Sequence, residues 1–421
     1  MDISIIGAGY VGLIQGAGLA KLGSKVILVD VDQNKVDKIN RKDPPIYEKG
    51  LKELLREVVP KSLTASTDLK KAINNTKITF ICVGTPSKKE GSIILNQLET
   101  VSMEIGKILK NKKDKHLIVI KSTVVPETCE KTVIPLLEKY SGKKFGKDFG
   151  VAMNPEFLKE GSALDDFFAP DRIVIGSADK KSIKTLKQLY RNFKCPILET
   201  SFREAEMIKY ASNAFLATKI SFINEIGNVC KKIGIDTNIV AKGIGFDKRI
   251  NPYFLRSGIG FGGSCFPKDV VALIYKATEH GYHPRLLSAV LDVNKEQPLK
   301  LLEIIEKHNV KNKKIAILGL TFKAGTDDIR ESPAISIIKE LLIEEPKLYL
   351  YDPMAMENVR RIFPHLNYTK TAQEAVDEAD IVLILTEWPE FKDLSYGNKP
   401  VIDGKNVFDG KKPKNYEGIC W

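Results

Sequence analysis

A single cysteine, Cys265, follows a glycine-rich stretch, RINPYFLRSGIGFGGS, that begins at residue 249. A stretch with so many glycines has little preference for helix or strand, and its backbone N–H groups can close around a polar ligand. Lys268 stands three positions after the cysteine, and a nearby ammonium favours the thiolate, the nucleophilic form of a thiol. The stretch therefore indicates a nucleophile beside a ligand-binding loop, with a glycine loop around a buried, inert cysteine as the alternative.

The start of the chain has the pattern of a dinucleotide-binding turn. A strand pattern at residues 2–6 leads into GAGYVG, where Gly7, Gly9 and Gly12 have the GxGxxG spacing, and a helix pattern follows. A second strand ends at Asp30, whose carboxylate would bind the ribose hydroxyls of the cofactor. Because a carboxylate at this position repels a 2′-phosphate, the pattern predicts NAD rather than NADP.

Four further strands are predicted before the middle of the chain, at residues 77–86, 116–128, 149–154 and 170–176. Each ends in small or polar residues, and in an open parallel sheet the ligand crevice lies at the carboxyl ends of the strands. Thr85, Thr123 and Glu156 follow three of these strands. We expect them to face one cofactor site, although turn formation alone would also explain residues of these types.

A long helix pattern begins at about residue 204 and includes Lys209 and Asn213, which are four residues apart and so share one face. Polar pairs at this spacing usually face solvent. Here the pair stands among apolar residues such as Tyr210 and Phe215, which indicates burial. The length of the pattern is typical of a helix that connects two lobes.

The opening pattern returns late in the chain without its glycine signature. KKIAILGLTFKAG at residues 313–325 predicts a strand and a turn, and more strands are predicted at 348–353, 379–391 and 400–408. We therefore predict an α/β protein with two doubly wound Rossmann-like domains, joined by a long central helix and a helical middle domain. The predicted domains are residues 1–195 for NAD, 196–305 for the helices with the cysteine loop, and 306–421 for a different ligand.

Composition narrows the functional class. The 421-residue chain is 43% hydrophobic and 28% charged, as globular proteins are. Its formal net charge is +12, but the lysines are scattered, which favours an anionic substrate over nucleic acid. The six cysteines have no CxxC or zinc spacing, His280 and His283 lack further ligands, and we expect neither a secretory leader nor a membrane span. These features predict a cytoplasmic protein without a metal site.

Eight motifs in a fixed order identify the family that the chain resembles. They are GAGYVG, VGTP, KSTV, NPEFLKEGSALDDF, PDRIVIG, IKYASNAFLATKISFINE, GFGGSCFPKD and LGLTFKAGTDDIRES, and they extend over nearly the whole chain. The set resembles the UDP-glucose/GDP-mannose dehydrogenase family, and FLKEGSALDDFFAPDRIVIG is most similar to its UDP-glucose branch. The resemblance implies oxidation of C6 of UDP-glucose to the carboxylate of UDP-glucuronate, with two NAD consumed per sugar.

The resemblance implies a covalent route through Cys265, which captures the aldehyde as a thiohemiacetal that becomes a thioester and is then hydrolysed. Lys209 matches the lysine that stabilises the developing oxyanion, and Asn213 matches the hydrogen-bonding partner of that lysine. Asp269 matches an acid that works with a water near the cysteine.

Glu156 and Thr123 match residues that position water and handle protons, Glu156 in hydrolysis of the thioester. Which carboxylate is the base at each step stays open. The remaining contacts that the resemblance implies are with the cofactor and with the nucleotide sugar. The cofactor contacts are Gly7, Gly9, Val11, Gly12, Asp30, Lys35, Thr85, Thr123, Glu160, Lys268 and Arg330. The substrate contacts are Glu156, Leu158, Lys159, Lys209, Asn213, Arg249, Phe254, Leu255, Arg256, Ser257, Gly258, Gly262, Lys323 and Lys405.

Two of these positions carry further information. The counterpart of Arg249 reaches the nucleotide sugar of a neighbouring subunit, so the resemblance implies a homodimer or a higher homo-oligomer. Lys405 departs from the family, which has an arginine at this strand end. Lysine keeps the positive charge but lacks the forked geometry of a guanidinium.

Three alternatives stay open. Within the family, GDP-mannose and the UDP-N-acetylhexosamines are the other substrates. A non-catalytic nucleotide-binding protein on the same scaffold is a second class, although Cys265, Lys209, Asn213 and Asp269 are all present. A nucleic-acid-binding protein is a third class, which the positive charge suggests and no motif supports.

Overall fold

The computed structural model describes residues 1–408 and 410–421. The described residues divide into two compact units, Met1–Ser212 and Asn213–Trp421. The division falls inside the long helix that was predicted from the sequence, which extends over Phe202–Ile233. The three-domain boundaries proposed above stay a prediction.

The first unit contains eight strands and the helices that cover them. Its strands are β1 Asp2–Ile6, β2 Lys25–Val29, β3 Leu63–Ser66, β4 Ile78–Ile81, β5 Leu117–Ile120, β6 Gly150–Met153, β7 Ile173–Gly176 and β8 Ile197–Thr200. Its helices are α1 Tyr10–Lys21, α2 Gln33–Asn40, α3 Leu51–Val58, α4 Leu69–Asn74, α5 Asn96–Asn111, the π-helical turn Cys129–Val133, α6 Ile134–Ser141, α7 Ala163–Phe168, α8 Lys180–Leu189 and the start of α9 Phe202–Ile233.

The first sheet has the strand order β3-β2-β1-β4-β5-β6-β7-β8. The first six strands in this order, from β3 at the edge to β6, pair in parallel. Every residue of β4, β5 and β6 is buried, which is typical of strands with helices on both faces. The strand order reverses between β1 and β4: β2 and β3 lie on one side of β1, and β4 and the later strands lie on the other. Ligands bind at the carboxyl edge of such a reversal.

Strand β7 is the exception to the parallel pairing of this sheet. It pairs antiparallel with β6, at Met153 and Gly176, and β8 pairs in parallel with β7. The carboxyl end of β7 therefore lies at the edge opposite to the ends of β4, β5 and β6. An apolar run such as IVIG indicates that a strand is buried but carries no information about its direction. The antiparallel direction of β7 could therefore not be predicted from the sequence.

The second unit contains the remainder of α9, three helices that precede a second sheet, and that sheet with its own helices. The helices before the sheet are α10 Thr237–Gly245, α11 Phe266–Glu279 and α12 Arg285–Glu306. The sheet and its helices are β9 Lys314–Leu318, α13 Pro333–Leu341 with the 3-10 turn Leu342–Glu344, β10 Lys347–Tyr351, α14 Met356–Arg360, β11 Asn367–Tyr368, α15 Ala372–Glu378, β12 Ile381–Ile384, the 3-10 turn Pro389–Asp393, β13 Pro400–Asp403 and β14 Asn415–Gly418.

The second sheet has the order β11-β10-β9-β12-β13-β14, and all of its pairs are parallel. It confirms the second Rossmann-like domain. Its reversal lies between β9 and β12, so the turns that follow these two strands mark the ligand edge. The sequence did not predict β11 and β14, because NY and NYEG are short and have no apolar alternation.

A buried histidine lies directly before β5. His116 is 2% exposed, and its Nε2 lies 2.6 Å from Thr79 Oγ1, which also contacts the Ser4 hydroxyl at 2.6 Å. Burial, with a smaller contribution from the positive charge of Lys112, lowers the pKa of His116 to about 3. The folded protein therefore keeps this ring neutral at pH values where an unfolded chain protonates it.

We predict that His116 makes the first unit sensitive to acid. Its folded pKa lies below the unfolded value of about 6.5, so the stability of the neutral ring is present above that pH and is lost as the pH falls. As the pH falls from about 6.5 to 4.5, this group should lower the free energy of unfolding by roughly 2–3 kcal/mol. In urea unfolding across this pH range, His116→Gln should lose less unfolding free energy than wild type does. The exposed His365→Gln should keep the wild-type slope, and equal slopes for wild type and His116→Gln would contradict the prediction.

Candidate active site

Three glycines shape the passage from β1 into α1, each for a different reason. Gly7 has a φ of +98°, a left-handed conformation that favours glycine. A Cβ on Gly12 would lie 1.9 Å from the carbonyl oxygen of Gly7. A Cβ on Gly9 would meet no described protein atom within 4 Å. Gly9 therefore leaves an open approach to the backbone at the amino end of α1.

Asp30 follows β2 and lies against this turn. Its carboxylate accepts hydrogen bonds from the backbone N–H of Ala8 at 2.7 Å and of Asp32 at 3.0 Å. The ammonium of Lys35 lies 3.8 Å from the same carboxylate. Two of the predicted cofactor contacts are thus together, and the arrangement fits a dinucleotide. The open helix start suits a pyrophosphate, and the carboxylate suits ribose hydroxyls.

Two predicted residues join the ends of β4 and β5. The hydroxyl of Thr85 donates to the carbonyl oxygen of Thr123 at 2.6 Å. The hydroxyl of Ser122 donates to the carbonyl oxygen of Val83, also at 2.6 Å. These bonds hold two neighbouring strand ends together beside the reversal of the sheet. Val11, another candidate, lies in the first turn of α1 and is partly exposed.

A buried ion pair joins the segment after β6 to α9. The Nζ of Lys209 donates to Oε1 of Glu156 at 2.9 Å, and only 5% and 8% of the two side chains are exposed. Oε2 of Glu156 accepts from the N–H of Leu158 at 2.6 Å. Burial raises the pKa of Glu156, but the Lys209 ammonium, these hydrogen bonds and the charge of Lys121 outweigh it and lower the pKa. The predicted burial of Lys209 is confirmed.

The loop after Glu156 carries Leu158, Lys159 and Glu160, and Glu48 fixes its far end. The Glu48 carboxylate accepts hydrogen bonds from the N–H groups of Gly161 and Ala163, both at 2.8 Å. The hydroxyl of Tyr10, in the glycine turn, donates to the same carboxylate. Sequence reasoning missed Glu48, because nothing local indicates that its backbone partners, Gly161 and Ala163, lie more than a hundred residues away.

Two further polar residues near the ion pair were also missed. Lys121 directly follows β5, Asn154 directly follows β6, and the Nζ of Lys121 donates to Oδ1 of Asn154 at 3.0 Å. Both residues are buried. A signal for them was available, since each is a polar residue at the end of an unbroken apolar strand.

In the second unit, Cys265 stands directly before α11 and is exposed. Its exposure rules out the alternative of a buried, inert cysteine. Asp269, one turn along the helix, is 1% exposed. Its two carboxylate oxygens accept hydrogen bonds from Nδ2 of Asn213 at 2.6 Å and from Nζ of Lys268 at 2.5 Å. A helix amino terminus stabilises negative charge, which favours a thiolate at this cysteine.

The glycines before Cys265 let their loop pack against the ligand edge of the second sheet. A Cβ on Gly258 would lie 2.7 Å from the carbonyl oxygen of Gly404, which follows β13. A Cβ on Gly262 would lie 2.1 Å from the carbonyl oxygen of Glu331. Side chains at either position would push the loop away, so the glycines bring the cysteine loop close to that edge.

Two predicted substrate cations lie at the turn after β13. The Nζ of Lys405 donates to the carbonyl oxygen of Phe322 at 3.1 Å and lies 3.7 Å from Oε2 of Glu387. The guanidinium of Arg256 donates to the carbonyl oxygen of Asn406. Lys405 and Arg256 therefore contact adjoining parts of the second sheet's ligand edge.

The other candidates of the second unit have separate environments. Arg249 pairs with Asp247 at 2.6 Å, and 88% of its side chain is exposed. Arg330 pairs with Asp328 at 2.6 Å. The structure thus places Arg249 at the surface of the unit. Phe254 has a φ of +63°, Leu255 and Ser257 are buried, and Lys323 lies over the ring of Phe322.

Three family models match the chain in order along its length. They describe the NAD-binding domain, the central domain and the UDP-binding domain of one family, and they match residues 1–194, 203–296 and 316–410. The chain belongs to the UDP-glucose/GDP-mannose dehydrogenase family. It is therefore an NAD-dependent oxidoreductase that converts nucleotide sugars to uronic acids, as the resemblance implied.

Members of this family that are named for different substrates are similar to the chain over its full length. The UDP-glucose 6-dehydrogenase AglM of Haloferax volcanii is 43% identical over 430 residues, with 100% of both chains covered. The GDP-mannose 6-dehydrogenase of Pseudomonas putida is 40% identical over 442 residues, also with 100% of both covered. Among solved structures, a UDP-glucose dehydrogenase of Pyrobaculum islandicum has a TM-score of 0.96 at 40% identity, covering 100% of this chain and 97% of that one.

The described residues contain neither a metal-binding cluster nor a helix suited to a membrane. No group of three or more histidine, cysteine, aspartate or glutamate side chains within residues 1–408 and 410–421 is arranged to hold a metal ion. In the same residues, no helix combines the length and the apolar character that crossing a membrane requires.

We predict that two glycine substitutions in the first turn separate cofactor binding from folding. Gly9→Ala adds a methyl group to open space, so it should leave the melting temperature unchanged and weaken NAD binding at least about tenfold by blocking the pyrophosphate. Gly12→Ala drives a methyl group into the Gly7 carbonyl and should lower stability by roughly 1–3 kcal/mol. Calorimetry of NAD binding and thermal unfolding measure the two effects. Unchanged NAD affinity in Gly9→Ala would contradict the cofactor assignment.

Proposed function

We propose that this dehydrogenase oxidises UDP-glucose at C6 to UDP-glucuronate through a thioester on Cys265. The observation that carries the proposal is that Cys265 is exposed at the amino end of α11, one turn before the buried Asp269. The choice of substrate is supported by the resemblance of FLKEGSALDDFFAPDRIVIG to the UDP-glucose branch and by the similarity of the chain to several UDP-glucose dehydrogenases. GDP-mannose is the alternative, since relatives named for it are also about 40% identical.

NAD, when bound, supplies the oxidant for both steps by accepting one hydride in each. On our proposal the turn of Gly7, Gly9 and Gly12 receives its pyrophosphate, and Asp30 binds its ribose hydroxyls. The other proposed cofactor contacts are Val11, Lys35, Thr85, Thr123, Glu160, Lys268 and Arg330.

In the first oxidation the C6 hydroxyl loses its proton and C6 becomes an aldehyde. Lys209 is proposed to stabilise the negative charge that develops on the oxygen, because a buried ammonium acts strongly where water is excluded. Asn213 is proposed as its hydrogen-bonding partner in the site. Which carboxylate removes the proton stays open between the candidates Glu156 and Asp269.

Cys265 is proposed to act between the two oxidations. Its thiolate adds to the aldehyde carbon and forms a C–S bond, which gives a thiohemiacetal. Loss of the hydride from C6 and of the hydroxyl proton then gives a thioester. The amino terminus of α11 favours the thiolate, and Asp269 is the nearby acid that orders water and protons.

Hydrolysis of the thioester completes the proposed reaction. Water forms a new C–O bond at the acyl carbon, and the C–S bond breaks with its electron pair returning to the sulfur of Cys265. Glu156 is proposed to accept the proton of that water, and Thr123 to help position it. The low pKa of Glu156 keeps its carboxylate ionised and able to accept a proton.

The remaining assignments concern the nucleotide part of the substrate and the domains. We propose residues 1–195 as the NAD domain, 196–305 as the helical domain with the cysteine and 306–421 as the UDP-sugar domain. A cytoplasmic location fits the cysteine pattern. The proposed substrate contacts are Glu156, Leu158, Lys159, Lys209, Asn213, Arg249, Phe254, Leu255, Arg256, Ser257, Gly258, Gly262, Lys323 and Lys405.

We also propose that the chain forms a homodimer or a higher homo-oligomer. Apolar side chains at seven-residue spacing on α9, Phe215, Phe222 and Val229, are 66%, 48% and 53% exposed. Such a stripe is costly to leave in water and is typical of a surface that another chain covers. Arg249, which is proposed to reach the substrate of the partner, is also exposed.

Product stoichiometry tests the proposed chemistry. Wild type should form two NADH per UDP-glucose, whereas Cys265→Ala should lose turnover by roughly a thousandfold or more because the aldehyde cannot be captured. Cys195→Ala, at a partly exposed cysteine of the first unit, is the matched control and should keep two NADH. Two NADH per sugar from Cys265→Ala at the wild-type rate would rule out the covalent route, and turnover of GDP-mannose alone would overturn the substrate.

Sedimentation tests the oligomer. Phe222→Glu places a charge in the apolar stripe and should shift the protein toward the monomer at micromolar concentration. Lys295→Glu changes charge at an exposed position of α12 and should leave the sedimentation coefficient unchanged. A monomeric wild type would contradict the proposed assembly.

A further inference from the structure

A buried ammonium in the first unit has no role in the proposed reaction. Lys121 is 7% exposed, and within the described part of the chain its side chain makes one hydrogen bond, to Oδ1 of Asn154 at 3.0 Å, and no ion pair. Burial lowers the pKa of Lys121 to about 8, with opposing contributions from Cys82 and Glu156. A buried charge without a direct counter-ion is costly, so its retention indicates a function.

A chain of hydrogen bonds fixes where this ammonium lies. Nδ2 of Asn154 donates to the carbonyl oxygen of Val174 at 2.7 Å, which orients the amide. Its Oδ1 then accepts from Lys121 and from the hydroxyl of Tyr190 at 2.7 Å. Nε2 of Gln15 donates to that hydroxyl at 3.2 Å. All four polar side chains are buried, so the position of the ammonium is determined by the core and not by solvent.

A cavity of about 330 Å³ connects this ammonium to Glu156. Lys121, Asn154 and Glu156 all line it, and all of its lining residues belong to the first unit. A water molecule occupies roughly 30 Å³ in the liquid, so the cavity has room for several. Glu156 thus has the Lys209 ammonium 2.9 Å from one oxygen and lines a cavity that it shares with a second cation.

Other charges also face Glu156 and must be weighed against Lys121. Lys209 on α9 makes the direct contact, and its charge is the largest of the effects that lower the Glu156 pKa, while Lys121 is named among the smaller ones. The thiol of Cys82, after β4, is the other titratable neighbour. The further charged side chains that line the cavity are Lys159, Asp165, Asp166, Asp171 and Arg172.

We propose that Lys121 is a positioning residue for Glu156: its ammonium holds the carboxylate ionised and orients water in the shared cavity toward it. The proposal rests on the hydrolytic role of Glu156 in the proposed function. In that step the carboxylate takes one proton from water, the hydroxyl oxygen bonds to the acyl carbon, and the sulfur leaves with the C–S electron pair. Lys121 forms and breaks no bond, and it keeps the acceptor charged.

The test uses neutral and charged replacements in the full-length protein. Lys121→Met and Lys121→Gln remove the charge, Gln keeping a donor for Asn154, and Lys121→Arg retains the charge. Lys113→Met, at an exposed lysine of the same unit, is the matched control. Two quantities are measured: the titration of the Glu156 carboxyl by carbon-13 NMR, assigned with Glu156→Gln, and the rate of thioester hydrolysis in a single turnover across the pH range.

Both neutral variants should raise the titration midpoint of Glu156 by about one pH unit, the size expected for a unit charge several ångströms away. The acid limb of the hydrolysis rate should move by the same amount, while Lys121→Arg and Lys113→Met should resemble wild type. An unmoved Glu156 titration in both neutral variants would overturn the proposal, as would loss of the fold in both, since Lys121 would then be purely structural.

The experiments distinguish a failure of the proposed function from a failure of the proposed role of Lys121. If wild type forms no thioester from a nucleotide sugar but the Glu156 midpoint still moves, the hydrolytic function is wrong and the electrostatic role of Lys121 stands. If wild type forms and hydrolyses the thioester but the midpoint does not move, the function stands and the role of Lys121 is wrong.

Discussion

The ion pair between Lys209 and Glu156 is the interaction on which the site in the first unit depends. Both side chains are almost fully buried and 2.9 Å apart, so removing either would leave a charge without a counter-ion, at a cost of roughly 3–5 kcal/mol. The segment after β6 and the start of α9 must therefore keep their places. The N–H of Leu158 donates to the same carboxylate, so the pair also fixes the start of the loop that follows Glu156.

In the second unit, buried polar contacts also surround the proposed nucleophile, Cys265. Asp269 is buried, and both of its oxygens are occupied by Asn213 and Lys268. The loop before Cys265 approaches the second sheet so closely that glycine is required at Gly262. The Asp269 carboxylate, one turn from the cysteine, is thus held by two hydrogen bonds while the cysteine itself stays exposed. Preorganised charges of this kind lose little energy to reorganisation when charge develops in a reaction.

Much of this arrangement could be predicted from the sequence, because glycine spacing and apolar strands act locally. Asp30 was placed correctly against the glycine turn, and both Rossmann-like sheets were expected. Features that depend on distant partners could not be predicted. The contact of Lys121 with Asn154 joins residues 33 positions apart, and the reversed direction of β7 follows from the connection that precedes it, not from its own residues. Glu48, whose backbone partners are Gly161 and Ala163, was missed for the same reason.

The most direct test of the central claim is a double-mutant cycle on the buried pair, measured as unfolding free energy in urea. Glu156→Gln and Lys209→Met should each lower stability by about 3–5 kcal/mol, because each leaves one buried charge alone. The double variant should lose at least about 2 kcal/mol less than the sum of the two, since it leaves no charge behind. Losses that simply add would contradict the account, because the two side chains would then not act as one charged unit.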